Sequence, residues 1–583
     1  MQNYKKLINV ARGKDAGDIL LKNCKIINVY SSKIEEGDLM LVGRKIAGIG
    51  KYGEYKRAEK IIDLSGAYVS PGFIDAHVHI ESSMLTPFEY AKAIVPLGTT
   101  SAIVDPHEIA NVLGQDGIKF MLESSKNHNI SFYFMLPSCV PATHLETSGS
   151  TLLAKDIEPF INEKWVRGLG EVMNYPGVIN TNQDLMLKLL ISKNKRADGH
   201  APGLKGLDLN SYVAAGILSD HECIDINEAK EKLAKGMKIL IREGSGAKNL
   251  DALITLVNDK NCGRFSFCTD DRHPEDLVSG QHINYSIKKA IKLGVDPITA
   301  IKMATINTAE HYKIDRKGAI VPGYWADLVI FDNFKAFNIL KVFRSGLLVA
   351  ENNKFVGKSR QKKGSLIRGT VNVGFFDRNK LKVKNEGKKI RVIKLVKNQI
   401  ITEEEKYLPI EKVNKNINKN INKNINANIE KDILKIAVIE RHLASGNVGV
   451  GFVKGFGLKQ GAIASTVAHD SHNIIIVGTN DEDMEVALHK LVECQGGEIA
   501  VVDGKVRAIL PLPIAGLMSK KNVFEVTKQK EKLLSEVKKM GSPLANPFIT
   551  MSFLALPVIP KLKITDLGLV DVSKFDFVSL YTN

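Results

Sequence analysis

The stretch Pro71-Gly72-Phe73-Ile74-Asp75-Ala76-His77-Val78-His79 decides how the rest of the chain is read. Mostly apolar residues rich in strand formers lead into two histidines separated by one residue. Side chains alternate faces along a strand, so His77 and His79 point the same way, about 7 Å apart along the backbone. Two imidazoles on one face at a strand end can share a transition-metal ion. Taken alone, the pair reads equally well as two polar surface histidines. Its weight comes from the His, Asp and Glu residues that recur at later strand ends.

Those residues fall in a series. Residues 99–104 are β-branched and apolar and end in Asp105-Pro106-His107-Glu108, and 130–136 form the next apolar run. Residues 166–170 lead into Glu171, 196–199 into His200, 216–219 into Asp220-His221-Glu222, 237–242 into Glu243, and 264–269 into Asp270-Asp271. Between the runs lie segments with helical periodicity, among them 87–97, 182–191, 226–237 and 274–293. Strand–helix alternation repeated eight times over residues 71–314 predicts an α/β fold, a (β/α)8 barrel whose functional groups stand at the strand C-terminal ends. Polar residues at strand ends are common in α/β proteins, but six potential ligands in that one position are not.

In their order, HxH, Glu, His, His and Asp, these residues resemble the amidohydrolase superfamily, which hydrolyses C–N and related bonds with one or two metals. Many of its members bridge the metals with a carboxylated lysine from the fourth strand; here that position is Glu171. Within the superfamily the chain is most similar to the bacterial adenine deaminases, through HVHIESS (77–83), DPHEIANV (105–112), GEVMN (170–174), DGHAPG (198–203), SDHE (219–222), CTDDRHPEDL (268–277) and VAHDSHNIIIVG (467–478). The likeness covers nearly the whole chain apart from one insert.

The resemblance implies a set of roles. His77, His79 and Asp270 suit one metal, His200 and His221 the other, and Glu171 bridges them. It points to Mn(II) or Fe(II), with Zn(II) also compatible with a nitrogen and oxygen donor set lacking thiolates. The implied reaction is hydrolysis of adenine to hypoxanthine and ammonia, a purine-salvage step, by a metal-bridging hydroxide attacking C6, with Asp270 also taking the proton. Asp105, His107 and Glu108 are expected to move protons or orient the purine; the alternative is that they steady the histidines behind the metals. Glu81, Ser82 and Ser83, with Asp271 and Arg272, are expected near the substrate. His469 and His472 match the family without an assigned role. The zinc deaminases that pair HxE with PCxxC are excluded, because no PCxxC occurs. A cyclic amidase or deacetylase of the superfamily is disfavoured by Glu171 in place of lysine, and an inactive barrel scaffold by the intact ligand set.

At 583 residues the chain exceeds one core and should form two or three domains. A composite small β-sandwich domain is expected from residues 1–70 with 315–363, the barrel from 71–314, and an α+β C-terminal domain from 364–583. The C-terminal region carries strand-like runs and helices at 482–492 and 522–539. Its insert at about 413–430 repeats Asn-Lys-Asn-Ile and reads as a polar loop with no function. No 18-residue apolar stretch occurs, the opening MQNYKKLINVARGKDAG lacks an apolar signal core, and six cysteines form no CxxC. A cytoplasmic protein with reduced thiols and no membrane partner is expected. The net charge of +17 comes mostly from dispersed lysines without interleaved aromatics, so nucleic acid is not an expected partner. Adenine and water are, and assembly as a homodimer is anticipated.

Overall fold

The computed structural model describes residues 2–126, 128–358, 367, 369–396, 399–409 and 424–582. After a helix at Gln2–Ala11 come five strands: β1 (Gly17–Asn28), β2 (Lys33–Val42), β3 (Lys45–Gly50), β4 (Ala58–Asp63) and β5 (Tyr68–Pro71). The chain then enters eight short strands: β6 (Phe73–Val78), β7 (Thr99–Val104), β8 (Ser131–Leu136), β9 (Val166–Val172), β10 (Arg196–Gly199), β11 (Ser219–Asp220), β12 (Lys238–Arg242) and β13 (Phe265–Cys268). These are largely buried on both faces, as parallel strands wrapped by helices must be.

Strands β6 to β10 pair in parallel in sequence order, and so do β11 to β13. Two parallel bridges, Ala197 to Ile217 and Val78 to Asp270, join the two sheets into a closed ring. The last seam is made at the ligands themselves: Asp270 N–H donates to His77 O at 2.9 Å, and His79 N–H donates to Asp270 O at 3.1 Å. The sixth strand is shorter than residues 216–219 suggest, because Gly216 sits at φ +92° and still belongs to the turn after the preceding helix.

After the barrel, β14 (Leu328–Phe331), β15 (Ile339–Arg344), β16 (Leu347–Glu351) and β17 (Lys354–Phe355) join the N-terminal strands in one sheet, ordered β17-β16-β15-β14-β5-β1-β2-β3 with β4 also on β1. The bulge in β1 between Leu21 and Cys24 divides its pairing, with β4 along the first part and β5 along the second. A bulge bends its strand, and here it wraps the sheet around a core of its own that includes Leu39, Ile46, Leu328 and Phe343.

Ten more strands follow, most of them in a second large sheet: β18 (Val383–Lys384), β19 (Lys389–Leu395), β20 (Thr402–Tyr407), β21 (Asn424–Ile425), β22 (Ile433–Ile439), β23 (Val448–Lys454), β24 (Ala462–Ser465), β25 (Ile474–Gly478), β26 (Gly497–Val502) and β27 (Lys505–Pro511). Its main path runs β20-β19-β23-β22-β25-β24-β26-β27, while β18 and β21 form a separate antiparallel pair. Leu434, Ile436 and Val438 of this sheet belong to the same apolar cluster as barrel residues such as Val104 and Leu136. Residues 466–473, between β24 and β25, reach the barrel mouth. Most of the Asn-Lys-Asn-Ile repeat lies outside the described residues, but its end does not: Ile425 is buried and pairs with Val383. The polar loop therefore stops short of the expected boundary near 430. No helix among the described residues is long and apolar enough to cross a membrane.

Candidate metal centre and active site

All six expected ligands converge at the C-terminal end of the barrel. His77 ends β6 and His79 follows it, Glu171 stands near the end of β9, and His200, His221 and Asp270 follow β10, β11 and β13. The Glu171 carboxylate divides between two histidine pairs. Its Oε1 lies 3.2 Å from His79 Nε2 and 3.9 Å from His77 Nε2, while its Oε2 lies 2.7 Å from His200 Nδ1 and 3.2 Å from His221 Nε2. Asp270 Oδ1 is 3.0 Å from His79 Nε2 and 3.6 Å from His77 Nε2.

Side chains this close and this buried fit cations. His77 Nε2 and His79 Nε2 stand 3.1 Å apart, and the Nδ1 atoms of His77 and His221 are buried without a partner. His79 Nδ1 donates to Asp105 O at 2.9 Å, which fixes the tautomer and leaves the Nε2 lone pair free. Burial opposes ionisation of both carboxylates, yet His200, His221 and His79 hold Glu171 well below the usual carboxylate range. Arg242 does the same for Asp270. Three overlapping groups, His77-His79-Glu171, His77-His221-Asp270 and Glu171-His200-His221, each bring their donor atoms within 4.8 Å of one another. Asp270 adopts φ +57°, a left-handed conformation sparsely used outside glycine, so the ligand that closes the barrel seam is held under backbone strain.

Across the mouth, Glu108 is gripped by the C-terminal region. His469 Nδ1 lies 2.7 Å from Glu108 Oε1, and His472 Nε2 contacts Oε2. His107 Nδ1 lies 3.3 Å from Glu171 Oε1, and its Nε2 is 3.5 Å from Glu108 Oε1 and 4.0 Å from Asp470 Oδ1. Burial pushes the Asp470 carboxyl up to about 6 against the pull of His107.

The model described as "Amidohydrolase family" matches residues 68–349, and that described as "Adenine deaminase C-terminal domain" matches 410–576. The adenine deaminase of Kosmotoga olearia is 48% identical over 583 residues, covering 99% of both chains. Adenine deaminase 2 of Carboxydothermus hydrogenoformans is 47% identical over 580 residues, and the adenine deaminase of Desulfatibacillum aliphaticivorans 45% over 578, each again covering 99% of both chains. The chain belongs to the adenine deaminase family.

The segment matched to the adenine deaminase C-terminal domain supplies His469, Asp470, Phe553, Leu556, Val558 and Ile559 to the walls. With Met173, the apolar side chains Ile400, Phe553, Leu556, Val558 and Ile559 close the cavity over the ligands. The Phe553 ring stacks on His469 with centroids 4.9 Å apart and planes at 13°. What remains is about 40 Å³, room for a few waters only.

Four expectations for this adenine deaminase-family site need correction. Asp105 does not face the cavity: Oδ2 accepts the Glu171 N–H at 3.0 Å and Oδ1 the His107 N–H at 3.2 Å, so it anchors the backbone beneath two site residues. A Cβ at residue 170 would strike Asp105 Oδ2, which is why Gly170 precedes Glu171. Glu81 is buried away from the cavity, its Oε1 accepting the Ile109 N–H at 3.2 Å and its pKa raised by burial to about 7. Ser83 spends its hydroxyl on Ile80 O at 2.6 Å. Arg272 donates to Gly244 O and Gln281 O instead of lining the cavity. Asp271 does line it, and accepts from Ser82 Oγ at 2.6 Å.

Arg242 escaped the sequence reading. It ends β12 and bridges Glu222 Oε1 and Asp270 Oδ2 with one nitrogen, while its neighbour Glu243 faces away and pairs with Lys289 at 2.9 Å. The available signal was strand parity: if Arg242 points into the barrel mouth, Glu243 cannot.

Proposed function

We propose that this chain is a cytoplasmic adenine deaminase of purine salvage, converting adenine and water to hypoxanthine and ammonia. The observation that carries the reading is the Glu171 carboxylate, with one oxygen on each of two histidine pairs beneath a mouth completed by His469. His77, His79, Asp270 and Glu171 would hold one divalent ion, and His200, His221 and Glu171 a second. The nitrogen and oxygen donor set without thiolate suits Mn(II) or Fe(II), with Zn(II) also compatible. Bound there, such ions supply Lewis acidity, which brings the ionisation of water towards neutrality.

The chain's own groups do the rest. Water adds to C6 and the C6–N6 bond breaks; of the two water protons one ends on ring N1 and the other must travel to the departing amine. Asp270 is placed to take that proton and return it, with Arg242 on its other oxygen keeping it ionised beforehand. Glu108 and His107 face the same cavity and suit the purine ring nitrogens. Phe553 and its apolar neighbours exclude bulk water. Because the cavity holds only a few waters, its walls must move to admit a purine. A homodimer is part of the same reading.

Ammonia release measured on adenine, adenosine, guanine and cytosine tests the proposal. A pocket enclosing the free base leaves no room for a sugar, so adenine should exceed adenosine by at least ~100-fold in kcat/KM, about 2.7 kcal/mol. Comparable turnover of the nucleoside, or hydrolysis of cyclic amides without release of ammonia from adenine, would overturn it.

A further inference from the structure

At the opposite end of the barrel from the ligands lies a cavity of about 700 Å³, between the strand N-termini and the composite sheet. That size is within the range of small-molecule sites. The N-terminal ends of β8 and β9 form its floor, with Ser131 and Tyr133 from one and Arg167 from the other; Arg344 of β15 faces them. Along β9, four residues separate Arg167 in this cavity from Glu171 at the other end of the barrel, roughly 13 Å.

Its charge is one-sided. Arg44, Lys126, Lys164, Arg167, Lys317 and Arg344 line it, against one lining carboxylate, Asp315, which is exposed and lies 3.5 Å from Arg316. Asp327 offsets part of this by pairing with Lys317. Arg167 forms no ion pair among the described residues; its guanidinium lies over the Tyr133 ring, 4.8 Å from the centroid. The Nε atoms of Arg167 and Arg344 are both buried with no hydrogen-bond partner. Arg344 Nη2 and Lys317 Nζ converge on Ser131 Oγ, at 2.8 and 3.0 Å. Two guanidinium groups with unpartnered Nε donors, beside a Lys317 ammonium already paired with Asp327, have the chemistry that phosphate oxygens suit.

The cavity is also aromatic. Trp165 and Tyr133 lie with centroids 5.7 Å apart, and Trp325 completes the lining. The chain has two tryptophans, and both are here. Flat π faces beside arginine forks suit a planar base attached to a phosphate.

We infer that this cavity binds a nucleoside phosphate, with its base against Trp165 and its phosphate on Arg167 and Arg344. The site is independent of the barrel-mouth chemistry and does not rest on it. Because both tryptophans lie in it, their fluorescence reports directly on occupancy. Titration of the full chain with AMP should give saturable quenching. Adenosine, which lacks the charge, and inorganic phosphate, which lacks the ring, should each bind at least about tenfold more weakly. Arg167→Gln and, separately, Arg344→Gln should weaken AMP binding by a similar factor while kcat for adenine is unchanged, which also shows that the variants fold. AMP affinity in both variants unchanged from that of the unsubstituted protein would overturn the proposal. So would inorganic phosphate binding as tightly as AMP, or the absence of any saturable signal.

Discussion

His469 Nδ1 lies 2.7 Å from Glu108 Oε1, although 361 positions separate the two residues. The contact ties a barrel carboxylate at the substrate mouth to a C-terminal loop, so the cavity is a joint product of both. Burial disfavours the charged imidazole, but the Glu108 carboxylate outweighs it and raises His469 to about 9. Glu108 in turn is held well below the usual carboxylate range, its burial outweighed by His469, His472 and His107.

The contact should therefore be sensitive to alkali. A histidine whose folded pKa is raised retains a proton that the unfolded chain loses above ~6.5. Its contribution is complete below that pH and disappears as pH climbs through about 9. We expect kcat/KM for adenine to fall reversibly across that alkaline limb. His469→Asn should lower the plateau and remove the limb, read from pH–rate profiles of the two proteins; an identical limb in the variant would count against the assignment.

Glu171→Gln should leave the fold intact and lose more activity than the ~100-fold that removal of an outer partner of a metal ligand can cost. A neutral amide presents one acceptor where the carboxylate presents two, so it cannot serve both histidine pairs. Metal analysis after air-free purification should show fewer than two ions per chain. Two tightly held ions with normal turnover would remove the bridging role.

Asp105→Asn tests positioning. One face of the amide would turn an N–H₂ towards either the Glu171 or the His107 backbone N–H, where only an acceptor fits. Metal affinity should weaken by ~10–100-fold in chelator competition, with the thermal midpoint little changed. Unaltered affinity would show that the anchor is dispensable.

Phe553→Ala should act mainly on KM. The ring stacks on His469 and caps the cavity, so its loss removes a flat apolar surface that a purine can use. Stacking of a base on an aromatic side chain contributes ~1–3 kcal/mol, corresponding to a KM increase of roughly 5- to 160-fold. A drop confined to kcat would instead place Phe553 in the chemical step.

The barrel and the six side chains that converge at its mouth were legible because most of them follow a strand-like run and the spacing between runs fits a helix. Glu81 and Ser83 misled by adjacency. After His79 the chain turns at once into a short 3-10 helix, Ile80–Ser83, whose side chains are buried behind the mouth. The periodicity over 274–293 is interrupted in the fold by Gly280, at φ +80°, giving two helices, Pro274–Val278 and Ile283–Lys292. The role of His469 could not be read, because docking across hundreds of positions leaves no local pattern. Arg242 was passed over in favour of its neighbour Glu243, and the closed ring shows that it points inward.

The seam between Val78 and Asp270 has a consequence for how the molecule is born. Asp75 and the Thr269 N–H that bonds it are 194 positions apart, and at ~5–20 residues per second translation spans that distance in roughly 10–40 s. Throughout that interval His77 and His79 have left the ribosome with no closing strand beside them. Glu108 waits longer still, until the codon for His469 has been read. A nascent chain thus carries its histidines exposed before any selective cage exists, and the ion it first encounters need not be the one the finished enzyme keeps.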